Sequence, residues 1–577
     1  MTPFFSIETA VEQLLRDALR AFIGQLRTEA DTAGDEQRLT AALDLDPDTV
    51  CLEQPRNPRH GDWATGIAMQ LARPLRRNPF EIAQAIVAFF PPSDLIAPPE
   101  IARPGFINLR LADGALARLV RHVLDAGAAW GRSDAFAGRK VLVEFVSANP
   151  TGPLHIGHCR GAVVGDALAR LLAAVGYDVS REYYYNDAGV QMKKLGESLR
   201  ARYLQALGED APMPEDGYMG DYMVDLGRRL MEERGDALRA TADTRPFTLY
   251  AAEHILKLID DDLKALRIDF DTWFSETTLH EDGSVRRVLE RLKSERRIYE
   301  KDGAWWLRTA ALGDEKDRVV IKSDGEYTYL APDIAYHEYK FNRGFDRLVN
   351  VLGADHHGYV PRLKASVAAL GYRPEQLDCV LVQMVGIKRG GETIKLSTRA
   401  GDFITLKQVI DEIGPDVTRF LFLMRSPDSQ MVFDFDLARD TSMDNPLYYV
   451  QYAHARCCSL MRKAEECGAP WRGGGDARLD RLTAAEEKAI VRQIDRLPAS
   501  VQDAASRCDP MLVTSYLTDL ATAFHAYFTA GNRDPALRVV QTEDTELTQA
   551  RLTLIEALRL TLANGLRLLG VEPLERL

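Results

Sequence analysis

Hydrophobic and polar positions change their period along the chain, and the changes mark the elements. From Val11 an amphipathic run (Val11-Glu12-Gln13-Leu14-Leu15, then Leu19 and Phe22) has the spacing of a helix with one apolar face. Gly61-Asp62-Trp63 and Pro104-Gly105 punctuate the region that follows. The alternation in Phe106-Ile107-Asn108-Leu109-Arg110-Leu111 then predicts a strand closing a small α+β module. Lys140-Val141-Leu142-Val143-Glu144-Phe145-Val146 is a short apolar run, the pattern of a parallel strand buried on both faces. A turn rich in Asn, Pro and Gly follows, from Ser147 to Pro153. Helical spacing resumes from His155 to Val175, with Val163, Ala167, Leu168, Leu171 and Leu172 on one face. Strand, glycine-bearing turn and helix make the first unit of a doubly wound sheet. Arg347 to Leu352 and Asp378 to Val382 are further strands, and a charged, mostly helical stretch at about 200–320 reads as an insertion between the sheet's halves. Beyond Asn445-Pro446 the repeats are helical (Leu517, Leu520, Phe524, Phe528; Leu552 to Leu569), which predicts a bundle, with Gly473-Gly474-Gly475 as a loop. The expected fold is α/β: a Rossmann-type parallel-sheet domain at 113–444 with its insertion, a small N-terminal α+β domain at 1–112, and an all-α bundle at 445–577.

Bulk numbers fit this division. A chain of 577 residues is long enough for three or four domains, and 46% hydrophobic residues supply several cores. No uncharged apolar run approaches the ~18 residues of a membrane span. Met1-Thr2-Pro3-Phe4-Phe5 lacks the charged-then-apolar start of a secretory signal. Seven cysteines form no CxxC pair, so no structural zinc is expected, and an odd, sparse set fits the reducing cytoplasm. A net charge of −13 does not exclude nucleic acid, because 72 Lys and Arg residues leave room for local basic faces.

The chemistry concentrates in Asn149-Pro150-Thr151-Gly152-Pro153-Leu154-His155-Ile156-Gly157-His158. A helix N-terminus presents unpaired N–H groups and the positive end of the dipole, which suits a triphosphate. His155 and His158, three apart, share one face, where both imidazoles can donate to phosphate oxygens as charge shifts at the α-phosphorus. Gly157 lets a nucleotide ring approach the backbone. A bare pair of histidines at this spacing would read as an exposed helix cap; the strand and Pro/Gly turn ahead favour a nucleotide site. Downstream, Lys395-Leu396-Ser397-Thr398-Arg399, preceded by Gly390-Gly391, has the make-up of a basic loop that closes over the β- and γ-phosphates. Asp355-His356-His357 follows a strand between Gly353 and Gly358, where a doubly wound sheet binds ligands, so Asp355 and His356 are candidates for ATP or substrate contact. A metal reading of that triplet lacks further ligands at matching spacing.

The tetrapeptide His155-Ile156-Gly157-His158 with Lys395 and Ser397 downstream resembles the HIGH and KMSKS signatures of class I aminoacyl-tRNA synthetases. Thr398 stands where that loop has its second lysine; Arg399, Lys388 and Arg389 are candidates for the missing charge. Glu144 to His155, Tyr329-Leu330-Ala331-Pro332-Asp333-Ile334-Ala335-Tyr336 and Ala557-Leu558-Arg559 resemble the arginyl-tRNA synthetase family over essentially the whole chain. The resemblance implies an N-terminal tRNA-binding domain, a class I catalytic domain and a helical anticodon-binding domain of the DALR type. It implies arginine contacts from Glu144, Ser147, Asn149, His155, Tyr329 and Asp333, and ATP contacts from His155, Gly157, His158 and Lys395. It also implies ATP with Mg²⁺, L-arginine and tRNA(Arg) as partners, no membrane, a cytoplasmic monomer, and activation that needs bound tRNA. The pocket chemistry agrees, since a guanidinium is a planar, permanently protonated fork of donors that carboxylates and a phenol oxygen suit. Glu144, a carboxylate in an apolar strand, would equally serve as the partner of a structural arginine. Tyr448, Tyr452 and Arg456 fall on one side of a helix, suited either to stacking on splayed-out bases or to packing. Phe106 and Asn108 are candidates for contact with the tRNA elbow. Two rivals remain open: another HIGH-bearing nucleotidyl transferase, and a non-catalytic tRNA-binding relative.

Overall fold

In the computed structural model, which describes residues 6–33, 45–53, 55, 57–112, 114–394 and 404–577, the first amphipathic run is the helix Ile7–Ala33. Its Val11, Leu15, Leu19, Phe22 and Leu26 are all buried. They share a core with β1 (Trp63–Thr65), β2 (Glu100–Ala102) and β3 (Phe106–Leu109), an antiparallel sheet with β3 in the middle.

The central sheet contains β4 (Lys140–Glu144), β5 (Asp178–Tyr185) and β6 (Thr272–Ser275). After a separate antiparallel sheet of β7 (Ile298–Lys301), β8 (Ala304–Leu307) and β9 (Arg318–Ile321), the chain returns as β10 (Arg347–Gly353) and β11 (Leu377–Val382). The order is β11-β10-β4-β5-β6, all parallel. The chain winds outward from β4 in one direction, then from β10 in the other. The strand order therefore reverses between β4 and β10, and the crevice beyond their carboxyl ends is where such sheets bind ligands.

Helices dominate residues 200–320, as their charge pattern predicts, among them Asp221–Arg234, Arg245–Ala265 and Ser284–Ser294. The same stretch also holds β6, an edge strand of the central sheet, and all of β7 to β9. Strands of four residues offer too few alternations to register as a period. A third small sheet, β12 (Val385–Arg389), β13 (Glu392–Ile394) and β14 (Met431–Asp434), adjoins the signature helix. The C-terminal bundle opens with the helix Pro446–Glu466, capped by Asn445, whose side-chain oxygen accepts the N–H groups of Leu447 and Tyr448. The helix Ala115–Ala126 packs on the last helix, Thr545–Leu568, where Asn564 donates to the carbonyls of Gly127 (2.8 Å) and Trp130 (3.1 Å).

The helix Ile156–Ala174 is buried along most of its length and carries two buried charges. Arg160 donates to the carbonyls of Gln383 (3.1 Å), Ser429 (2.8 Å) and Ser426 (2.8 Å), which fixes the helix against the third sheet. Asp166 pairs with Arg170 and with the fully buried Arg419. Arg419 also donates to the carbonyls of Leu569 (2.9 Å) and Leu266 (2.8 Å), so one side chain ties together the signature helix, the 266 turn and the end of the last helix. Gly570 makes room for it: a Cβ there would lie 2.2 Å from the guanidinium. Arg419→Ala strands part of a buried charge pair, and the expected loss is about 3–5 kcal/mol in equilibrium urea unfolding. A loss below about 1 kcal/mol, the scale of exposed ion pairs, would count against this role.

Candidate active site

His155 is the N-cap of the signature helix. Its Nδ1 accepts the N–H of Gly157 (3.1 Å), and the Nδ1 of His158 accepts the N–H of His155 (3.3 Å). The rings lie 3.9 Å apart, tilted by 30°. Since both accept at Nδ1, each neutral ring carries its hydrogen on Nε2. Burial lowers both pKa values, that of His158 to about 3, where the neighbouring His155 adds to the effect. The pair therefore offers uncharged N–H donors at neutral pH. Gly157 has a local reason as well: a Cβ would sit 2.7 Å from the His155 ring.

The backbone beside the histidines pairs with residues 404–406. Ile156 donates to the Ile404 carbonyl (3.0 Å), Leu406 donates to that of Leu154 (2.8 Å), and His155 stands opposite Thr405. The downstream flank of the Lys395–Arg399 segment is thus stitched to the signature, while Lys395, Ser397 and Arg399 themselves lie outside the described residues. Of the other candidates for the missing charge, Lys388 is paired with Asp434 (2.8 Å). Arg389 is paired with Glu412 (2.7 Å) and stacked on Phe435 (4.4 Å). Both already have partners.

The turn after β4 is strained, with Val146 at φ 67° and Ser147 at φ 44°, a conformation that a β-branched valine rarely adopts. It is held on several sides. Ser147 donates back to Glu144 (3.1 Å) and accepts the Tyr184 N–H (3.3 Å). The buried Tyr183 hydroxyl donates to the Ala148 carbonyl (2.9 Å). Asn149 accepts the Asn186 N–H (3.2 Å) and donates to Gln191 (3.0 Å). The loop is locked onto the end of β5.

Three carboxylates converge next to this loop. Glu144, buried at the carboxyl end of β4, takes the ammonium of Lys340 on one oxygen and Ser147 on the other. Its structural partner is thus a lysine, where the sequence allowed for an arginine. Asp333, on the helix Leu330–Asn342, accepts the Tyr359 hydroxyl. Burial pushes its carboxyl up to about 7; Glu144 and Glu276 push the same way, against Tyr359 and Lys340. Glu276, just past β6, accepts from Tyr184 (2.5 Å) and Asn186 (2.8 Å). Tyr329 stands one turn ahead of Asp333 but is 85% exposed, so it is not brought into the acidic group. Asp355 and His356 occupy the exposed turn Ala354–Tyr359 beyond β10. Glu276, Tyr184, Tyr359 and Lys340 escape the sequence reading. The one available signal was the position of Tyr359, two residues past the His356-His357 pair.

The remaining candidates lie elsewhere. Tyr448 and Tyr452 stack at 5.9 Å and 14°, and Arg456 lies over the rings of both Tyr452 (4.2 Å) and Phe528 (4.0 Å). This is a continuous half-buried ladder along one side of its helix. In β3, Phe106 is half-buried and Asn108 is buried. Among the described residues no helix is long and apolar enough to cross a membrane, and no three His, Cys, Asp or Glu side chains are grouped to hold a metal ion.

Comparison with known proteins agrees with this architecture. Residues 120–421 match the family of class I (R) tRNA synthetase catalytic domains, residues 9–111 the arginyl-tRNA synthetase N-terminal domain, and residues 450–577 the DALR anticodon-binding domain. An arginine–tRNA ligase of Shouchella clausii is 47% identical over 557 residues, 96% of this chain and 98% of that protein. The Bacillus subtilis arginine–tRNA ligase is 45% identical, covering 92% of this chain and 94% of its own length. The solved Thermus thermophilus arginyl-tRNA synthetase shares the fold at a TM-score of 0.75 and 22% identity, over 99% of this chain and all of that one. A locked signature helix at the sheet's switch point, an acidic group beside it and relatives matched over more than nine-tenths of the chain lead to one conclusion: the chain belongs to the arginyl-tRNA synthetase family.

Proposed function

We propose that this chain is an arginine–tRNA ligase: it joins L-arginine to ATP as arginyl-adenylate, releasing pyrophosphate, and passes the arginyl group to the 3′-terminal adenosine of tRNA(Arg). The carrying observation is the convergence of Glu144, Glu276 and Asp333 beside the loop that leads into the histidine signature. Such a group suits a cation with several in-plane donors. Arginine's own carboxylate, ionised at neutral pH, attacks the α-phosphorus in line, so no general base is required; positioning and charge stabilisation do the work. His155 and His158 donate to the phosphate from neutral rings, Lys395 and Ser397 act on the β- and γ-phosphates, and Asp355 and His356 line the nucleotide side. Glu144, Ser147, Asn149 and Asp333 hold the amino acid, and the exposed Tyr329 one turn ahead of Asp333 stands at the rim of the site. Mg²⁺ brought with ATP would neutralise phosphate charge beside the donors of His155 and His158. The 2′-hydroxyl of the terminal adenosine is the nucleophile of the second step. Residues 1–112, with the half-buried Phe106, meet the tRNA elbow; residues 445–577, with Tyr448, Tyr452 and Arg456, meet the anticodon end; 113–444 perform the chemistry. The enzyme works as a cytoplasmic monomer.

Aminoacylation of tRNA with each of the twenty amino acids tests this reading, and arginine is expected to be the one charged. Preference for another amino acid sinks the pocket assignment, and absence of any charging favours a non-catalytic relative. ATP–pyrophosphate exchange with arginine is expected to need tRNA; robust exchange without it removes that requirement.

A further inference from the structure

Lys340 is fully buried at the point where the strand order reverses. Its ammonium bridges the two strands there, reaching Glu144 of β4 and the side-chain oxygen of Asn350 of β10 (3.2 Å), residues that face each other in register. It also lies 4.1 Å from the Tyr336 ring centroid. We propose that Lys340 is a positioning residue for amino-acid selection: it fixes the direction of the Glu144 carboxylate, and through Glu144 the affinity for arginine. The proposal rests on the arginine reading above.

The hydrogen bonds around Lys340 run in a single sense. His337 Nδ1 lies 2.8 Å from the Asp333 carbonyl and therefore carries the hydrogen, which leaves Nε2 as an acceptor. Asn350 donates its amide to that Nε2 (3.1 Å), so its oxygen must face Lys340. Lys340 then donates to Glu144, whose other oxygen takes Ser147. With one interaction on each oxygen, a carboxylate that has about four acceptor sites is left with its remaining lone pairs in set directions. His337 stays neutral, because burial and the neighbouring Lys340 lower its pKa to about 3. The compensating charge is therefore the lysine's. Lys340 pairs with Glu144 and acts on Asp333, and one ammonium beside the group of Glu144, Asp333 and Glu276 leaves a net acidic site that suits the guanidinium of a substrate.

Kinetics of aminoacylation test the proposal in Lys340→Met, Lys340→Arg, Glu144→Gln and the double variant Lys340→Met/Glu144→Gln. Truncating one partner of a buried charge pair is expected to raise KM for arginine on the order of 30-fold or more in Lys340→Met, with KM for ATP within about twofold of the parent. Lys340→Arg is expected to recover a large part of the loss, and the double variant to be no worse than the poorer single one, because the two residues act as one unit. Additive losses, or equal losses for arginine and ATP, overturn the proposal. If Lys340→Met does not fold, Asn350→Leu carries the test; it removes the anchor and keeps the ion pair, and a rise in KM confined to arginine is expected. An unchanged arginine KM in Glu144→Gln sinks the arginine pocket and this proposal together. A raised one beside an unaffected Lys340→Met sinks the proposal alone.

Discussion

Asp333→Ala is expected to lower kcat/KM for arginine by about a thousandfold while KM for ATP moves by less than about twofold, since loss of a buried charge partner costs roughly 2–5 kcal/mol. The residue sits on the first turn of its helix, and its carboxylate already accepts the Tyr359 hydroxyl, so its direction is fixed before substrate arrives. The pH dependence follows from its environment. Burial and the neighbouring carboxylates push Asp333 up to about 7. A guanidinium stays protonated across this range, so binding requires the ionised carboxylate. Below about pH 7 the group holds a proton that arginine must displace, and KM for arginine should rise up to about tenfold per pH unit; above it, KM should level off. Asp333→Ala should flatten that profile. Initial rates against arginine concentration between about pH 5.5 and 8.5 give both readings. A parent enzyme whose arginine KM ignores pH, or a variant that loses ATP as much as arginine, would place the guanidinium elsewhere.

What was legible in the sequence follows from how far each signal extends. The helix Ile7–Ala33, the apolar run of β4 and the long C-terminal helices each repeat their pattern over enough positions to be read. The candidate site was legible where it lies within a few residues of one loop: Glu144, Ser147, Asn149, His155 and His158 belong to one stretch of chain. What brings Glu276 to that stretch is β6, four residues long, and what brings Lys340 is the face of a helix two turns beyond Asp333. Neither has a local signature, because a contact across 196 positions, as between Lys340 and Glu144, leaves no spacing to detect. Asn108 shows the converse. In an alternating strand it reads as an outward polar position, yet it is buried in the middle strand of its sheet, paired with Ala64 on one side and Glu100 on the other.

His158→Ala should slow arginyl-adenylate formation by about 10²–10³, the usual loss when one preorganised donor to a developing charge is removed. The rings of His155 and His158 lie against each other at 3.9 Å, and each spends its Nδ1 on the backbone, so the direction of both Nε2–H groups is set before ATP binds. His158 also accepts the N–H of His155, so its loss loosens the helix cap and misplaces the second donor. The double variant His155→Ala/His158→Ala should therefore fall well short of the product of the two single losses. With a pKa lowered to about 3, His158 stays neutral across the working range, and its protonation adds no acid limb to the rate of activation. The downstream loop sharpens the expectation. Thr398 replaces its second lysine, and with Lys388 and Arg389 held by Asp434 and Glu412 that work falls to Arg399 or to the histidine donors. Affinity for tRNA, measured by filter binding, should stay within about twofold of the parent, since an uncharged ring adds nothing to phosphate neutralisation. A comparable loss of tRNA binding in both His158→Ala and Asp333→Ala would mean that the chemistry happens somewhere other than the crevice between β4 and β10.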